Sequence, residues 1–203
     1  MRYEIAIVLL LSDAAQNYAR RIQLDLLKKY HIKHGISARP HVTLKLGFRT
    51  FDIDLIEEYF DQLIHKLNPV EISINKFGFF EEGIVFLDVE QSAPLENMRQ
   101  RIISDLKSKF SILPHPIEGD AYRFHATVAH GLSKRDFDQA REMLQNERVD
   151  FKFTATTCAL FFCIDGQWIT YKQATLLERN APPCSPQNAR DGLNNALPRG
   201  RTT

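Results

Sequence analysis

Two short stretches of this chain carry the same chemical pattern: His41-Val42-Thr43-Leu44 and His125-Ala126-Thr127-Val128. Each reads His, apolar, Thr, apolar. Alternate side chains of a β-strand point to opposite faces. His41 and Thr43 therefore share one face, with Val42 and Leu44 turned to a core, and His125 and Thr127 repeat the arrangement against Ala126 and Val128. An imidazole titrates near neutrality, at about 6.5, so of two such rings one can be neutral while the other is protonated. Placed on opposite sides of one phosphorus atom, one ring takes the proton of the attacking oxygen and the other protonates the leaving oxygen. The two hydroxyls hold the phosphoryl oxygens as charge shifts. This route through a phosphodiester needs no metal when the leaving group is good, as in the strained ring of a 2′,3′-cyclic phosphate. The plainer alternative is two ordinary strands whose histidines are satisfied by their neighbours.

Flanking residues extend the candidate site. Lys45 continues the period-two face of His41 and Thr43, and Arg123 continues that of His125 and Thr127, so each is a candidate to neutralise a phosphate. Tyr122, Phe80 and Trp168 are candidates to stack on a base, although most of the 14 Phe must fill the interior. The other histidines read as structural. His31 and His34 sit near a helix end, where imidazolium is favourable. His65 and His115 have no partner in sequence, and His130, five residues after His125, falls on the opposite strand face. No Asp adjoins either His-Thr stretch to build a di-metal site, and neither a Gly-x-Ser-x-Gly elbow nor a Gly-rich phosphate loop is present. The expectation is His41, Thr43, His125 and Thr127 as catalytic residues and Lys45, Arg123 and Tyr122 as substrate-binding residues, with no metal and no cofactor.

The elements that must position these residues alternate between strand and helix. Apolar residues 3–11 read as a buried strand rather than a signal segment, since Glu4 interrupts the run and Ser12-Asp13 opens a helix. Helical stripes cover 13–30, a segment capped by Asp52 or Asp54, 93–110, and a segment opened by Ser133. Strands are expected at 41–48, 71–80, 84–90, 122–130, 150–164 and 168–176, with hairpin turns at Glu81-Glu82-Gly83 and Asp165-Gly166. The sum is an α+β fold of mostly antiparallel strands in two pseudo-symmetric lobes over residues 1–177. Residues 178–203 lose apolar periodicity and gain proline, asparagine and arginine, which reads as a disordered tail.

Composition excludes as much as it suggests. With 203 residues and a net charge of +1, no field of one sign would wrap a long nucleic acid, but a short or single-nucleotide phosphate substrate fits. Cys158, Cys163 and Cys184 make an odd number with no Cys-x-x-Cys pair, which points to reduced thiols and a cytoplasmic location. No stretch reaches transmembrane length.

The segment Pro40-His41-Val42-Thr43-Leu44-Lys45 and its partner His125-Ala126-Thr127-Val128 resemble the 2H phosphoesterase superfamily, in particular its bacterial and archaeal 2′-5′ RNA ligase-like proteins. The resemblance implies a bilobal α+β fold with both motifs facing one cleft. It also implies metal-independent hydrolysis of a cyclic phosphodiester, or reversible transesterification at a 2′-5′ linkage, with a nucleotide or RNA end as partner and a monomeric chain. Many members carry a basic residue five places after the motif His, where this chain has Leu46 and His130. A rival on the same fold is a non-catalytic RNA- or nucleotide-binding module.

Overall fold

The computed structural model describes residues 2–178 apart from residues 34, 37 and 120. The expected tail beyond Glu178, with Cys184, and also His34, lie outside the described residues. Eight strands form one curled antiparallel sheet: β1 (Tyr3–Leu10), β2 (His41–Thr50), β3 (Val70–Phe80), β4 (Ile84–Val89), β5 (His125–Ala129), β6 (Phe151–Ala155), β7 (Thr157–Ile164) and β8 (Gln167–Thr175). Their order is β6-β3-β4-β5-β2-β1-β7-β8. The half β6-β3-β4-β5 makes one lobe and β2-β1-β7-β8 the other, and the seam between them is the pair β5–β2.

Helices α1 (Asp13–Tyr30), α2 (Ile53–Ile64), α3 (Ala93–Phe110) and α4 (Lys134–Leu144) lay their apolar stripes on the sheet face that carries Ile5, Ile7, Leu9, Val42, Val85, Leu87 and Ala126, giving one continuous core. Each starts at a side-chain cap, since Ser12, Asp52, Ser92 and Ser133 accept the backbone N–H three residues on. Asp52, not Asp54, is thus the cap of α2. A smaller cluster on the opposite face joins Ala6, Val8 and Leu10 to Ala159 and Phe161, with Trp168 against it. Strand β1 is buried on both faces, which accounts for its unbroken apolar run. The β7–β8 turn has Asp165 at φ 50° and Gly166 at φ 74°, the two positive values that a tight hairpin twisted to match its strands requires.

Two sequence expectations are corrected. Residues 150–164 are two strands, not one: at Thr156 the chain leaves β6 on the outer edge of one lobe and enters β7 beside β1 in the other. Both pieces are extended and apolar, so periodicity carries no trace of the change of partner. The strand expected at 122–130 is shorter, because Tyr122 N donates to Gly119 O at 3.0 Å and closes a turn before the ladder begins.

The feature that matters most for the site is a pair of β-bulges. Thr43 pairs with Val8 but Lys45 pairs with Ile7, so Leu44 is an extra residue in β2. Thr127 pairs with Phe86 but Ala129 pairs with Val85, so Val128 is an extra residue in β5. A bulge puts two successive side chains on one side and reverses the alternation beyond it. Leu44 and Lys45 are accordingly both buried, as are Val128 and Ala129. Lys45 therefore does not share the face of His41 and Thr43. Its Nζ lies 2.8 Å from Glu118 Oε2, both side chains only 1% exposed.

Buried polar groups brace both bulges from behind. Glu118 also accepts from Leu46 N at 2.7 Å and His115 N at 2.6 Å, so its carboxylate ties the loop before β5 to the bulge of β2. Arg99 Nη1 donates to Glu118 O at 2.9 Å, and its guanidinium lies 4.4 Å from the centre of the Tyr122 ring. Gln23 on α1 does the equivalent at β5, its Nε2 donating to Val128 O at 3.1 Å and Gly35 O at 2.8 Å. Gly35 has φ +97°, and a Cβ there would stand 2.5 Å from Val128 O, so the close approach requires glycine.

Lys45→Met strands a buried carboxylate and is expected to cost about 3–5 kcal/mol, read as a lowered urea midpoint. The double variant Lys45→Met/Glu118→Gln recovers part of the loss.

Candidate active site

Strands β2 and β5 meet antiparallel with Val42 paired to Ala126. One step along that register sets His41 opposite Thr127, and one step the other way sets Thr43 opposite His125. The inward Val42 and Ala126 are fully buried in the core, so all four polar side chains stand on the other face. The two imidazoles occupy one diagonal and the two hydroxyls the other, related by the pseudo-two-fold of the seam.

Each ring is fixed by the same contact. His41 Nδ1 lies 2.7 Å from Arg39 O, and His125 Nδ1 lies 2.8 Å from Arg123 O, in both cases the carbonyl two residues upstream. A carbonyl only accepts, so Nδ1 carries the proton. Nε2 is then a bare acceptor in the neutral ring and a donor in the protonated one. The surroundings are apolar: His41 meets Phe161 edge-on at 4.6 Å, and His125 sits 5.3 Å from Phe80 and 5.1 Å from Phe86. Burial pulls His41 down to about 4, and the nearby His125 adds to this, while the bond to Arg39 O opposes it. His125 is also lowered, by burial first and then by the Arg123 charge, against its bond to Arg123 O and the Asp88 carboxylate. Burial thus favours the neutral form of both rings near pH 7.

A cleft of about 270 Å³ opens over this face, lined by His41, Thr43 and Thr127 together with Arg39, His130 and Trp168. His125 stands beside it, with its ring against Phe80 and Phe86. Trp168 lies close over Gly47, where a Cβ would come within 3.0 Å of the indole. Leu46 and Gly47 complete this wall.

The bulges rearrange the predicted binding set. Lys45 is lost to the buried ion pair. Tyr122 is buried, with its Oη donating to Thr43 O at 3.0 Å, so it supports the strand behind Thr43 rather than offering a free stacking face. Arg123 does lie near His125, but its guanidinium is held by both Asp88 oxygens at 2.8 and 2.6 Å and rests on Phe86. Tyr122 and Arg123 line a separate, larger hollow with Gln91 and Glu96. His130 is brought into the cleft, against expectation, because the bulge at Val128 reverses the alternation before it. Leu46 reaches the lining after the matching bulge. Arg39 was missed altogether. Its signal is in the chain: Arg39-Pro40-His41 and Arg123-Phe124-His125 place an arginine two residues before each motif histidine.

The 2′-5′ RNA ligase superfamily model matches residues 11–161, about three quarters of the chain. A Staphylococcus saprophyticus protein with a provisional phosphoesterase name is 22% identical over 144 residues, covering 69% of this chain and 81% of its own. A Bacillus thuringiensis protein with the same kind of name is 26% identical over 120 residues, 55% of this chain and 70% of its own. Among solved structures, TT0787 of Thermus thermophilus superposes with a TM-score of 0.61 at 12% identity, covering 87% of this chain and 98% of that one. E. coli LigT complexed with NADP+ superposes with a TM-score of 0.58 at 13% identity, covering 88% of this chain and 100% of that one. These likenesses show that the fold is shared.

The electrostatics of the rings set an acid limit on the fold. A histidine held below its unfolded value near 6.5 binds fewer protons in the native state, so its contribution is intact above that value. It is lost as pH falls from there toward about 4. NMR titration is expected to show the His41 ring protonating at about pH 4 and the His125 ring protonating below its ordinary value, with the melting temperature declining as pH falls from 6.5 toward 4.

Proposed function

Because the chain belongs to the 2′-5′ RNA ligase superfamily, we propose that its cleft is the active site of a metal-independent phosphodiesterase acting on 2′,3′-cyclic phosphate or 2′-5′-linked nucleotides and RNA ends. The observation that carries this reading is the diagonal of two Nε2-presenting imidazoles and two threonine hydroxyls at the β2–β5 seam. LigT, with which the fold is shared, has also been crystallised with 3′-AMP, a nucleotide of the kind that opening such a ring yields.

In hydrolysis of a 2′,3′-cyclic phosphate, the neutral ring takes a proton from water as the water oxygen bonds to phosphorus. The P–O bond to one ribose oxygen breaks on the opposite side. The protonated ring delivers its proton to that oxygen, leaving a phosphomonoester and a free hydroxyl. Thr43 and Thr127 donate to the two non-bridging oxygens, whose charge grows in the transition state. Both rings present Nε2 to the cleft, so either can serve as base with the other as acid, according to which ribose oxygen leaves. With a ribose 5′-hydroxyl in place of water, the same proton transfers open the ring, free the 3′-hydroxyl and form a 2′-5′ linkage; run backward, they cleave that linkage to the cyclic phosphate. Trp168 offers its indole to a base and His130 its imidazole to a phosphate oxygen.

A turnover assay across 2′,3′-cyclic nucleotides, 2′-5′-linked dinucleotides and cyclic-phosphate RNA ends, with product regiochemistry read out, tests the reading. Activity is expected to persist in EDTA, and His41→Ala and His125→Ala are each expected to lose about two orders of magnitude or more. The profile of kcat/KM against pH should be bell-shaped. One ring must be neutral and the other protonated, and burial lowers both, His41 to about 4 and His125 below its ordinary value, which places the optimum on the acid side of neutrality. A binding module without turnover would bind these ligands and leave the double variant His41→Ala/His125→Ala indistinguishable from the parent.

A further inference from the structure

The two arginines that precede the motif histidines occupy equivalent places in sequence and in the fold, since each lends its carbonyl to the Nδ1 of the histidine two residues on. Their side chains go different ways. Arg123 is engaged by Asp88, with two hydrogen bonds at 2.8 and 2.6 Å, and Lys76 Nζ lies 3.6 Å from the same carboxylate. Arg39 lines the cleft with His41, Thr43 and Thr127.

Behind Arg39 lies a second guanidinium. Arg20 on α1 is partly buried and donates to Gln23 Oε1 at 2.9 Å and to the carbonyl of Ile36, both uncharged acceptors. Burial and the Arg39 charge both work against its protonated form, and among the described residues no carboxylate offsets them. Two like charges near one wall, without a counter-ion among the described residues, raise the free energy of the empty cleft and are relieved by an anion. Arg39 can reorient toward such an anion, whereas Arg20 is tied by its two acceptors.

We propose that Arg39, backed by Arg20, is the anion-binding residue of the cleft and takes a phosphate of the substrate, while its counterpart Arg123 is a positioning residue that holds His125. This rests on the reading of the cleft as a phosphodiester site. It also explains how the cleft does without a basic residue at Leu46 and without Lys45. Arg39 makes planar, two-point contact with phosphate oxygens from one side while the threonines donate from another. Arg123, pinned by Asp88 and resting on Phe86, fixes the carbonyl that fixes the His125 ring. The charged and titratable groups facing that ring are Arg123 itself, Asp88 with Lys76 behind it, Tyr122 with its ring centre 6.5 Å away, and His41 across the seam.

The test compares Arg39→Met, Arg39→Lys, Arg123→Met and the parent in two measurements. The first is direct binding of inorganic phosphate and 3′-AMP by calorimetry, which needs no turnover. The second is kcat and KM on a 2′,3′-cyclic mononucleotide and on a dinucleotide ending in a 2′,3′-cyclic phosphate. Arg39→Met is expected to weaken 3′-AMP binding and raise KM about ten-fold or more, with Arg39→Lys recovering part. A rise with both substrates places the reacting phosphate on Arg39, and a rise with the dinucleotide alone places the neighbouring phosphate there. Arg123→Met is expected to lower kcat about ten-fold with KM nearly unchanged, and to raise the pH at which His125 titrates, since it removes a nearby cation. Parent-like affinity and KM in Arg39→Met, with a working parent enzyme, overturn the assignment of Arg39. A raised KM in Arg123→Met with an unmoved His125 titration overturns that of Arg123. A parent that neither binds nor turns over these ligands overturns the proposed function itself, and this inference with it.

Discussion

The site depends on an irregularity repeated twice: one extra residue in the strand directly after each His-x-Thr. Without those bulges, period-two alternation would place Lys45 in the cleft and His130 outside it. With them, the hydroxyl pair remains on the cleft face while the next two residues both turn to the core. A bulge leaves backbone groups without ladder partners, and here buried side chains satisfy them. Glu118 takes the Leu46 N–H, and the Gln23 amide donates to the Val128 carbonyl. The Lys45–Glu118 pair is best understood this way. As an isolated buried ion pair it would bring little stability. As a brace it fixes where β2 bends, and Tyr122 adds a hydrogen bond to the Thr43 carbonyl from the same side.

The chemistry and its scaffold are linked through the backbone as much as through side chains. Both histidines are oriented by carbonyls two residues upstream, in segments held by other contacts, Arg123 by Asp88 and the approach to Arg39 by Arg20 and Gln23 on α1. The rings are thereby held in one tautomer by backbone carbonyls on rigid elements instead of by a further side chain. The price of the apolar setting, with Phe161, Phe80 and Phe86 around the rings, is that protonation is disfavoured in the empty cleft. In the proposed reaction, a substrate phosphate would supply the negative charge that offsets this.

Much of this was legible in the chain. The duplicated His-x-Thr, the helix caps at Ser12 and Ser133 and the Asp165-Gly166 hairpin each depend on local stereochemistry that a short segment specifies by itself. The places where reading failed share one cause. Lys45, His130 and the split of 150–164 into β6 and β7 are settled by which strand lies next door, and no local periodicity encodes a partner far away in sequence. Lys45 carries no sign that Glu118 will meet it, and a lysine after a strand motif ordinarily points to solvent. Arg39 is a different case. Its place two residues before His41 repeats that of Arg123 before His125, so the motif is one residue pair longer than the His-x-Thr that drew attention.

The strand order also governs how the chain can assemble. The lobe β6-β3-β4-β5 is drawn from one continuous stretch, residues 70–155, whereas the other lobe combines the two ends of the described chain, β1 and β2 with β7 and β8. During synthesis β1 is made first but must wait for β7, about 150 residues later, before its second edge is paired. Until then it presents an apolar strand with open hydrogen-bonding groups, the kind of surface that invites aggregation. The seam that carries the histidines can form early, but the wall bearing Trp168 closes over it only when the last hairpin docks. Completion of the cleft wall therefore waits for β7 and β8, and a chain truncated before β7 would carry both His-x-Thr strands and still lack Trp168 and the second partner of β1.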